Sequence, residues 1–281
     1  MEYLVCHIQE VSQLRIISVA NQKGGVAKTT TSINLGTCLT EFGKKVLLID
    51  MDPQAHTTIG LGIEPNELEK TMLNVLEPNR SPNKLDMEDI VIQMKKFSDG
   101  NLYLAPSNID FASAEYKLID QIGREDFLNI GIQNCKIKFD YIIVDCPPSL
   151  GILTINALKA SNEVIIPIQP HYFALRGIEE FMETIKIVHQ NLHHFLEIYV
   201  LITIADTRSN IAKEVIEETR DFFKERVFKT IIRKNISLVE SSSQGIPIIY
   251  YDPKSHGAED YSELAQEVIT FEKEKISTRL Y

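Results

Sequence analysis

Short apolar runs recur along the chain, each followed by a longer amphipathic stretch. The runs are Arg15-Ile16-Ile17-Ser18-Val19-Ala20, Val46-Leu47-Leu48-Ile49, Leu102-Tyr103-Leu104-Ala105, Tyr141-Ile142-Ile143-Val144, Val164-Ile165-Ile166-Pro167-Ile168, Ile198-Tyr199-Val200-Leu201-Ile202 and Thr230-Ile231-Ile232. They do not alternate apolar with polar residues, so they predict strands buried on both faces, as in a parallel sheet. Helical periodicity predicts helices over Thr29–Phe42 (stopped by Gly43), Ala112–Gln121, Thr154–Ala160, Ile178–Gln190, Ala212–Arg226 and Ala258–Lys275. This alternation predicts a doubly wound α/β fold, mostly parallel, with helices on both faces of the sheet. Residues 62–100 carry Pro65, Pro78, Pro82 and several Asn, and read as an excursion with short helices, not as a separate domain.

Composition narrows this only modestly. The 281 residues are 44% hydrophobic and 24% charged, which suits one large domain or two small ones with a full core. No stretch approaches the ~18 consecutive apolar residues of a membrane span. Residues 1–14 lack Lys and Arg, so they make a poor signal or transit peptide. Cys6, Cys38, Cys135 and Cys146 show no CxxC spacing and read as buried free thiols in a reducing cytoplasm. The net charge of −10 repels DNA on average, so any nucleic-acid contact needs a local basic patch. The densest one runs from Lys224 to Lys234, with Lys224, Arg226, Lys229, Arg233 and Lys234 against Glu225 alone. A solvated face at a helix end explains the same charges.

The first strand leads into Asn21-Gln22-Lys23-Gly24-Gly25-Val26-Ala27-Lys28-Thr29-Thr30, which opens a helix. Strand, glycine turn, then helix is the physical recipe for a triphosphate cradle. Backbone N–H groups point inward and the helix N-terminus adds partial positive charge. Lys23, Gly24, Gly25, Val26, Ala27, Lys28, Thr29 and Thr30 are therefore the nucleotide-binding candidates. Lys28 is placed to reach the β- and γ-phosphates, and the Thr29 hydroxyl to ligate Mg²⁺. The strict pattern GxxxxGK[ST] fails, with Gln22 and Ala27 at its glycine positions, but KGGxxK[ST] is met in full. Ala27 must then take a backbone conformation that alanine tolerates.

Acids end two other strands. Asp50 and Asp52 lie at i and i+2, so on extended backbone they point the same way, and Pro53 keeps Asp52 extended. Asp145 ends the Tyr141–Val144 run, where an acid can hold Mg²⁺ through water. The loop, Asp50 and Asp145 all fall at strand carboxyl ends, where ligands of doubly wound folds bind.

The loop is a deviant Walker A motif, and with it the chain resembles the ParA/MinD group of P-loop ATPases. The blocks NQKGGVAKTTTSINLG, KVLLIDMDPQAHTTIGLGI, YIIVDCPPSLGILTINAL and GIPIIYYDPKSHGAEDYSELAQEV look like the ParA/Soj partition branch, over about residues 15–270. The resemblance implies an ATPase using ATP and Mg²⁺ that closes as a homodimer with nucleotide sandwiched between subunits. It implies that Lys23 crosses to the partner's phosphates, that Asp52 positions the attacking water, and that Asp50 is the acid beside it. The dimer is expected to bind double-stranded DNA without sequence preference, and a ParB-type activator to stimulate a slow hydrolysis and release it. That engine would drive chromosome or plasmid partition from a nucleoid-associated, cytoplasmic location. Arg208 and Lys234 match basic positions the family uses on DNA. Ser237 stands where the family often has Arg, and Arg233 is a candidate to replace that charge. Asn235 is the candidate for contact near the adenine, and Ser241-Ser242 replace a family Ala-Pro pair.

Particular residues bear on the rival readings. A membrane-bound MinD-type regulator ends in a basic amphipathic helix, whereas the stretch from Thr270 to Tyr281 has three basic residues against two Glu. An iron–sulfur reductase would need Cys135 and Cys146 in a cluster loop, and neither is in one. A tyrosine kinase sharing this loop would carry a dense tyrosine tail. A nucleotide-gated scaffold with little hydrolysis, or a positioning ATPase acting on a membrane or other cargo, stays open. His171, His193 and His194 lack a third ligand at usable spacing. The expected organisation is a short extension over 1–14, one ATPase domain over 15–275 and a tail over 276–281.

Overall fold

A computed structural model describes residues 14–172 and 174–279, with side chains described outside 174–177 and 272–279. Residues 1–13 of the extension expected over 1–14, Cys6 among them, and the last two residues of the expected tail lie outside the described residues. The strands are β1 (Arg15–Val19), β2 (Val46–Asp50), β3 (Ile92–Gln93), β4 (Leu102–Ala105), β5 (Tyr141–Asp145), β6 (Glu163–Ile168), β7 (Glu197–Ala205) and β8 (Val227–Arg233). They form one sheet in the order β3-β4-β2-β5-β1-β6-β7-β8. Every neighbouring pair is parallel except β3 with β4. The mostly parallel α/β sheet expected from the apolar runs is the one observed.

The helices are α1 (Lys28–Glu41), α2 (His56–Gly60), α3 (Met72–Leu76), α4 (Met87–Ile90), α5 (Ser113–Leu118), α6 (Phe127–Asn134), α7 (Ile152–Ala160), α8 (Ala174–Leu192), α9 (Asn210–Phe223), α10 (Ile236–Ser243), α11 (Ile248–Tyr251) and α12 (His256–Arg279). Strand residues alternate between two cores, as a two-residue side-chain period requires. Leu47, Ile49, Ile142 and Val144 join one core with α6, α7, α8 and α9. Val46, Leu48, Tyr141 and Ile143 join the other with α1 and α12. Both faces of the sheet are thus covered, which is why the strand sequences are apolar throughout.

Several boundaries differ from the periodicity. The helix expected over Ala112–Gln121 is a 3₁₀ turn at Ile109–Ala112 followed by α5. The helix expected to reach Arg226 ends at Phe223, because Lys224 turns to φ 53° before a 3₁₀ turn over Lys224–Arg226. The basic run beyond it therefore lies on that turn and on β8, where Lys229 is exposed while Phe228 is buried. Strand β7 extends to Ala205 through a bulge. Pairing with β8 slips between Ile202 and Ala205, and Ile204 takes φ +52° there, a left-handed geometry that a β-branched residue rarely adopts.

Candidate functional site

Parallel alignment brings the carboxyl ends of β1, β2, β4, β5, β6 and β7 to one edge of the sheet. Chain order reverses at β1, which lies between β5 and β6 although its own crossover leads to β2. That reversal is the switch point at which doubly wound sheets bind ligands. The loop after β1 occupies it.

The loop is shaped by left-handed residues. Gly25 has φ +73° and Ala27 φ +67°. Ala27 is the residue before α1, and its carbonyl accepts from Thr31 N–H at 2.9 Å, so the helix starts directly on the turn. A Cβ placed on Gly24 or Gly25 would meet no protein atom within 4 Å. Gly25 is therefore required by its backbone angle, and the space over both glycines is open. The loop is anchored from the side. The Asn21 amide donates to Pro167 O at 2.8 Å and its carbonyl oxygen accepts from Lys23 N–H at 3.0 Å. From β7, the Thr203 hydroxyl donates to Val26 O at 3.0 Å.

The two lysines occupy opposite situations. Lys28 is buried and its ammonium donates across the loop to Lys23 O at 3.1 Å. Burial lowers its pKa, opposed chiefly by the Asp145 charge. Lys23 is exposed, and its ammonium meets Nε2 of His171 on the loop after β6.

The acids stand side by side. Asp50 and Asp145 are paired residues of β2 and β5, and both are fully buried. Asp145 accepts from three hydroxyls: Thr29 at 2.8 Å, Thr57 at 2.7 Å and Ser32 at 3.0 Å. Asp50 accepts from the Thr58 hydroxyl at 2.7 Å, from Thr58 N–H at 2.9 Å and from Asp52 N–H at 3.2 Å. Burial, then repulsion from Asp145, pushes the Asp50 carboxyl up to about 8. Burial raises Asp145 too, against the pull of its hydroxyl donors. Asp52 is also buried and accepts from Gln54 N–H at 2.9 Å.

This donor set suits a hard divalent cation. It consists of a threonine hydroxyl and a carboxylate 2.8 Å apart, with a second carboxylate abreast and buried negative charge that a cation would relieve. The open loop above, running straight into the N-terminus of α1, suits an anionic phosphate group. Thr29, Asp145 and the loop are brought together by the fold, with Asp50 and Asp52 beside them.

The basic candidates lie along the same edge, further from β1. Arg208 follows β7; its side chain is 90% exposed and pairs with Asp206 at 3.0 Å. Lys234 follows β8, is exposed, and its N–H donates to Ala205 O at 3.0 Å, tying the two segments together. Arg233 is committed elsewhere. Its guanidinium pairs with Asp260 and with Glu259 at 2.6 Å, both on α12, so its charge is offset locally. Asn235 caps α10, accepting from Ser237 N–H at 2.7 Å, and the Ser237 hydroxyl donates to Asp252 at 3.0 Å. Ser241 and Ser242 fold their hydroxyls back onto Leu238 O.

Ser32, Thr57, Thr58 and Thr203 are not among the residues singled out from the sequence, and His171 figures there only as a metal-ligand candidate without a third ligand. Thr57 and Thr58 lie four and five residues after Pro53 of the Asp-x-Asp-Pro stretch, a signal that was available. Thr203 and His171 reach the loop only through strand neighbours.

Fold and loop together define a P-loop nucleotide-binding protein of the deviant Walker A type. The AAA domain family matches residues 14–198. The chain is 46% identical over 255 residues to the sporulation initiation inhibitor protein Soj of Bacillus subtilis, covering 90% of this chain and 98% of Soj. It is 41% identical over 256 residues to the chromosome partitioning protein ParA of Myxococcus xanthus, covering 91% and 88%. Among solved structures, the cobyrinic acid a,c-diamide synthase of Mycobacterium smegmatis with bound ATP analog and magnesium superposes with a TM-score of 0.77. It is 35% identical, over 92% of this chain and 95% of that one. The chain belongs to the Soj/ParA family of chromosome-partitioning P-loop ATPases.

Proposed function

We propose that this ATPase is a DNA-binding partition motor whose affinity for DNA is switched by nucleotide-dependent dimerisation. One observation carries the reading: a single glycine turn holds one lysine buried against the acidic edge, Lys28, and one exposed at its mouth, Lys23. A loop serving only its own nucleotide needs the first; the exposure of the second supports a role outside its own subunit.

Loop amides 24–30 and Lys28 would hold the ATP phosphates, and Thr29, with Asp145 through water, would hold Mg²⁺. The magnesium would neutralise charge on the phosphates. Ser32 and Thr57 orient Asp145. Lys23 leaves His171 and reaches the nucleotide of a second copy, where its charge stabilises the transition state. Asp52, fixed by the Asp50 network, positions the attacking water. Asn235 would meet the adenine through its amide nitrogen, since its oxygen caps α10. Arg208 and Lys234 present positive charge to DNA phosphates, with Arg233 beside them partly offset by Asp260 and Glu259. Two patches on one rigid dimer strengthen a contact that one patch makes weakly. A ParB-type activator raises a slow basal hydrolysis and releases the dimer. The ATPase unit is taken as residues 15–275, acting in the cytoplasm on the nucleoid. Among the described residues no helix is long and apolar enough to cross a membrane.

The test is a gel shift of unrelated duplex DNA by the Asp52→Ala protein with ATP, with ADP and without nucleotide. A shift with ATP alone is expected. No shift in any state, with the ATP dimer confirmed by sizing, replaces DNA with another cargo.

A further inference from the structure

We propose that Thr57 is a positioning residue that ties the segment carrying Asp52 to the acid of the metal site, Asp145. The inference rests on the reading of Asp52 and Asp145 given above. It starts from a geometric coincidence. Asp50 and Asp145 end adjacent parallel strands in register, so their backbones are about one strand spacing apart, ~4.8 Å. The short helix α2 lies across them, and its consecutive residues divide the pair. The Thr58 hydroxyl donates to Asp50 at 2.7 Å and the Thr57 hydroxyl to Asp145 at 2.7 Å. Neighbouring side chains on a helix diverge by ~100°, which suits two targets side by side.

Thr58 returns to its own strand only eight residues back, so it closes a local loop. Thr57 reaches across 88 residues to β5. It donates to Oδ2, the oxygen that also accepts from Thr29. Three hydroxyls converge on Asp145 among the described residues, and Thr57 is the one belonging to the segment that carries Asp52. Between them the chain makes a tight turn. Ala55 takes φ +55°, its N–H donates to Asp52 O at 2.9 Å, and Gln54 N–H donates to the Asp52 carboxylate. A left-handed alanine is held there only because both ends of the turn are pinned. The pin at the helix end is double, and Thr57 supplies the half that registers the turn against β5. Asp145 and the segment bearing Asp52 are thereby tied together by a hydrogen bond made wholly within the protein.

Three variants decide this. Thr57→Val keeps the shape and removes the donor, Thr57→Ser keeps the donor and removes the methyl, and Thr57→Ala guards against strain in the valine protein. The first readout is hydrogen exchange without nucleotide. Exchange at Gln54 and Ala55 should rise about 10-fold or more in Thr57→Val and Thr57→Ala, with β1 and β5 amides unchanged and Thr57→Ser like wild type. The second is steady-state hydrolysis. Thr57→Val should lower kcat about 10- to 100-fold with KM for ATP within about threefold, and Thr57→Ser should restore kcat. Unchanged exchange in Thr57→Val and Thr57→Ala overturns the proposal, whatever kcat does. So does a Thr57→Ser protein as impaired as Thr57→Val, which would assign the effect to methyl packing. Because exchange is read without nucleotide, it decides the inference even if the wild-type chain fails to hydrolyse ATP, an outcome that would instead refute the function proposed above.

Discussion

Lys23 and Lys28 share a loop and a chemistry but not an environment. Lys28 is buried against the Asp145 side of the loop, with its pKa lowered mainly by desolvation. On the proposed role, removing a buried charge that faces phosphate costs several kcal/mol. Lys28→Ala should therefore weaken binding of a fluorescent ATP analogue by about 100-fold or more in titration. Lys23→Ala should leave that affinity within about threefold while abolishing hydrolysis that depends on protein concentration. Asp50 allows a pH prediction. Its folded pKa of about 8 lies above the ordinary carboxylate range, so the folded state binds the extra proton. The stability it contributes is full below its unfolded pKa of ~4 and is lost as pH rises through about 8. Without Mg²⁺, wild type should lose thermal stability from pH 5 to pH 8 relative to Asp50→Asn, in which that dependence is gone; parallel melting curves would refute the assignment.

Elements were legible where their burial was simple. The strands of the parallel sheet are covered by helices on both faces, so they announce themselves as apolar runs. Strand β3 does not, because it is a two-residue antiparallel edge within the irregular 62–100 stretch. Helix α10 escaped periodicity because its last turn is serine. Those hydroxyls donate to carbonyls three or four residues back, which lets polar residues sit in a helix that propensity disfavours. Its start signal, Asn235 as N-cap, was present in the chain. The end of α10 also supports the segment after α2. Gly245 has φ +64°, and a Cβ there would lie 2.6 Å from Gly62 Cα. That contact is backbone against backbone and cannot yield by a rotamer change. Gly245→Ala should destabilise the protein by about 2–4 kcal/mol in urea unfolding, combining strain at positive φ with overpacking. A cost under about 1 kcal/mol would mean that the two loops separate easily.

The molecule carries a net charge of −10, yet its proposed DNA contact is positive. Such binding needs a concentrated patch and is steeply salt-dependent. The bulge at Ile204 brings β7 to Ala205, whose carbonyl accepts from Lys234 N–H, so the segments bearing Arg208 and Lys234 move as one. Thr203, one residue before the bulge, donates to the nucleotide loop at Val26 O. The patch and the phosphate site thus share a strand. Arg208→Ala with Lys234→Ala should leave ATP-dependent dimerisation intact and flatten the plot of log affinity against log salt by about 3 to 4, for four phosphate contacts per dimer. An unchanged slope would place the DNA surface elsewhere.

Sequence alone determined the parallel sheet, the phosphate loop and the three acids. Buried strands, a glycine turn before a helix and strand-terminal carboxylates are local patterns set by sterics and solvation. Tertiary structure decided which charges are spent and which hydroxyls serve the acids. Arg233 looked like a reinforcement of the basic patch until α12 placed Asp260 and Glu259 against it. Thr57 and Thr58 carry no role in the sequence alone, and each gains an acid only where β2 and β5 come into register beneath them. The Arg233 and Thr57 contacts join residues 27 and 88 positions apart, and hydrogen bonds and ion pairs of that kind form only once the fold has brought the segments together.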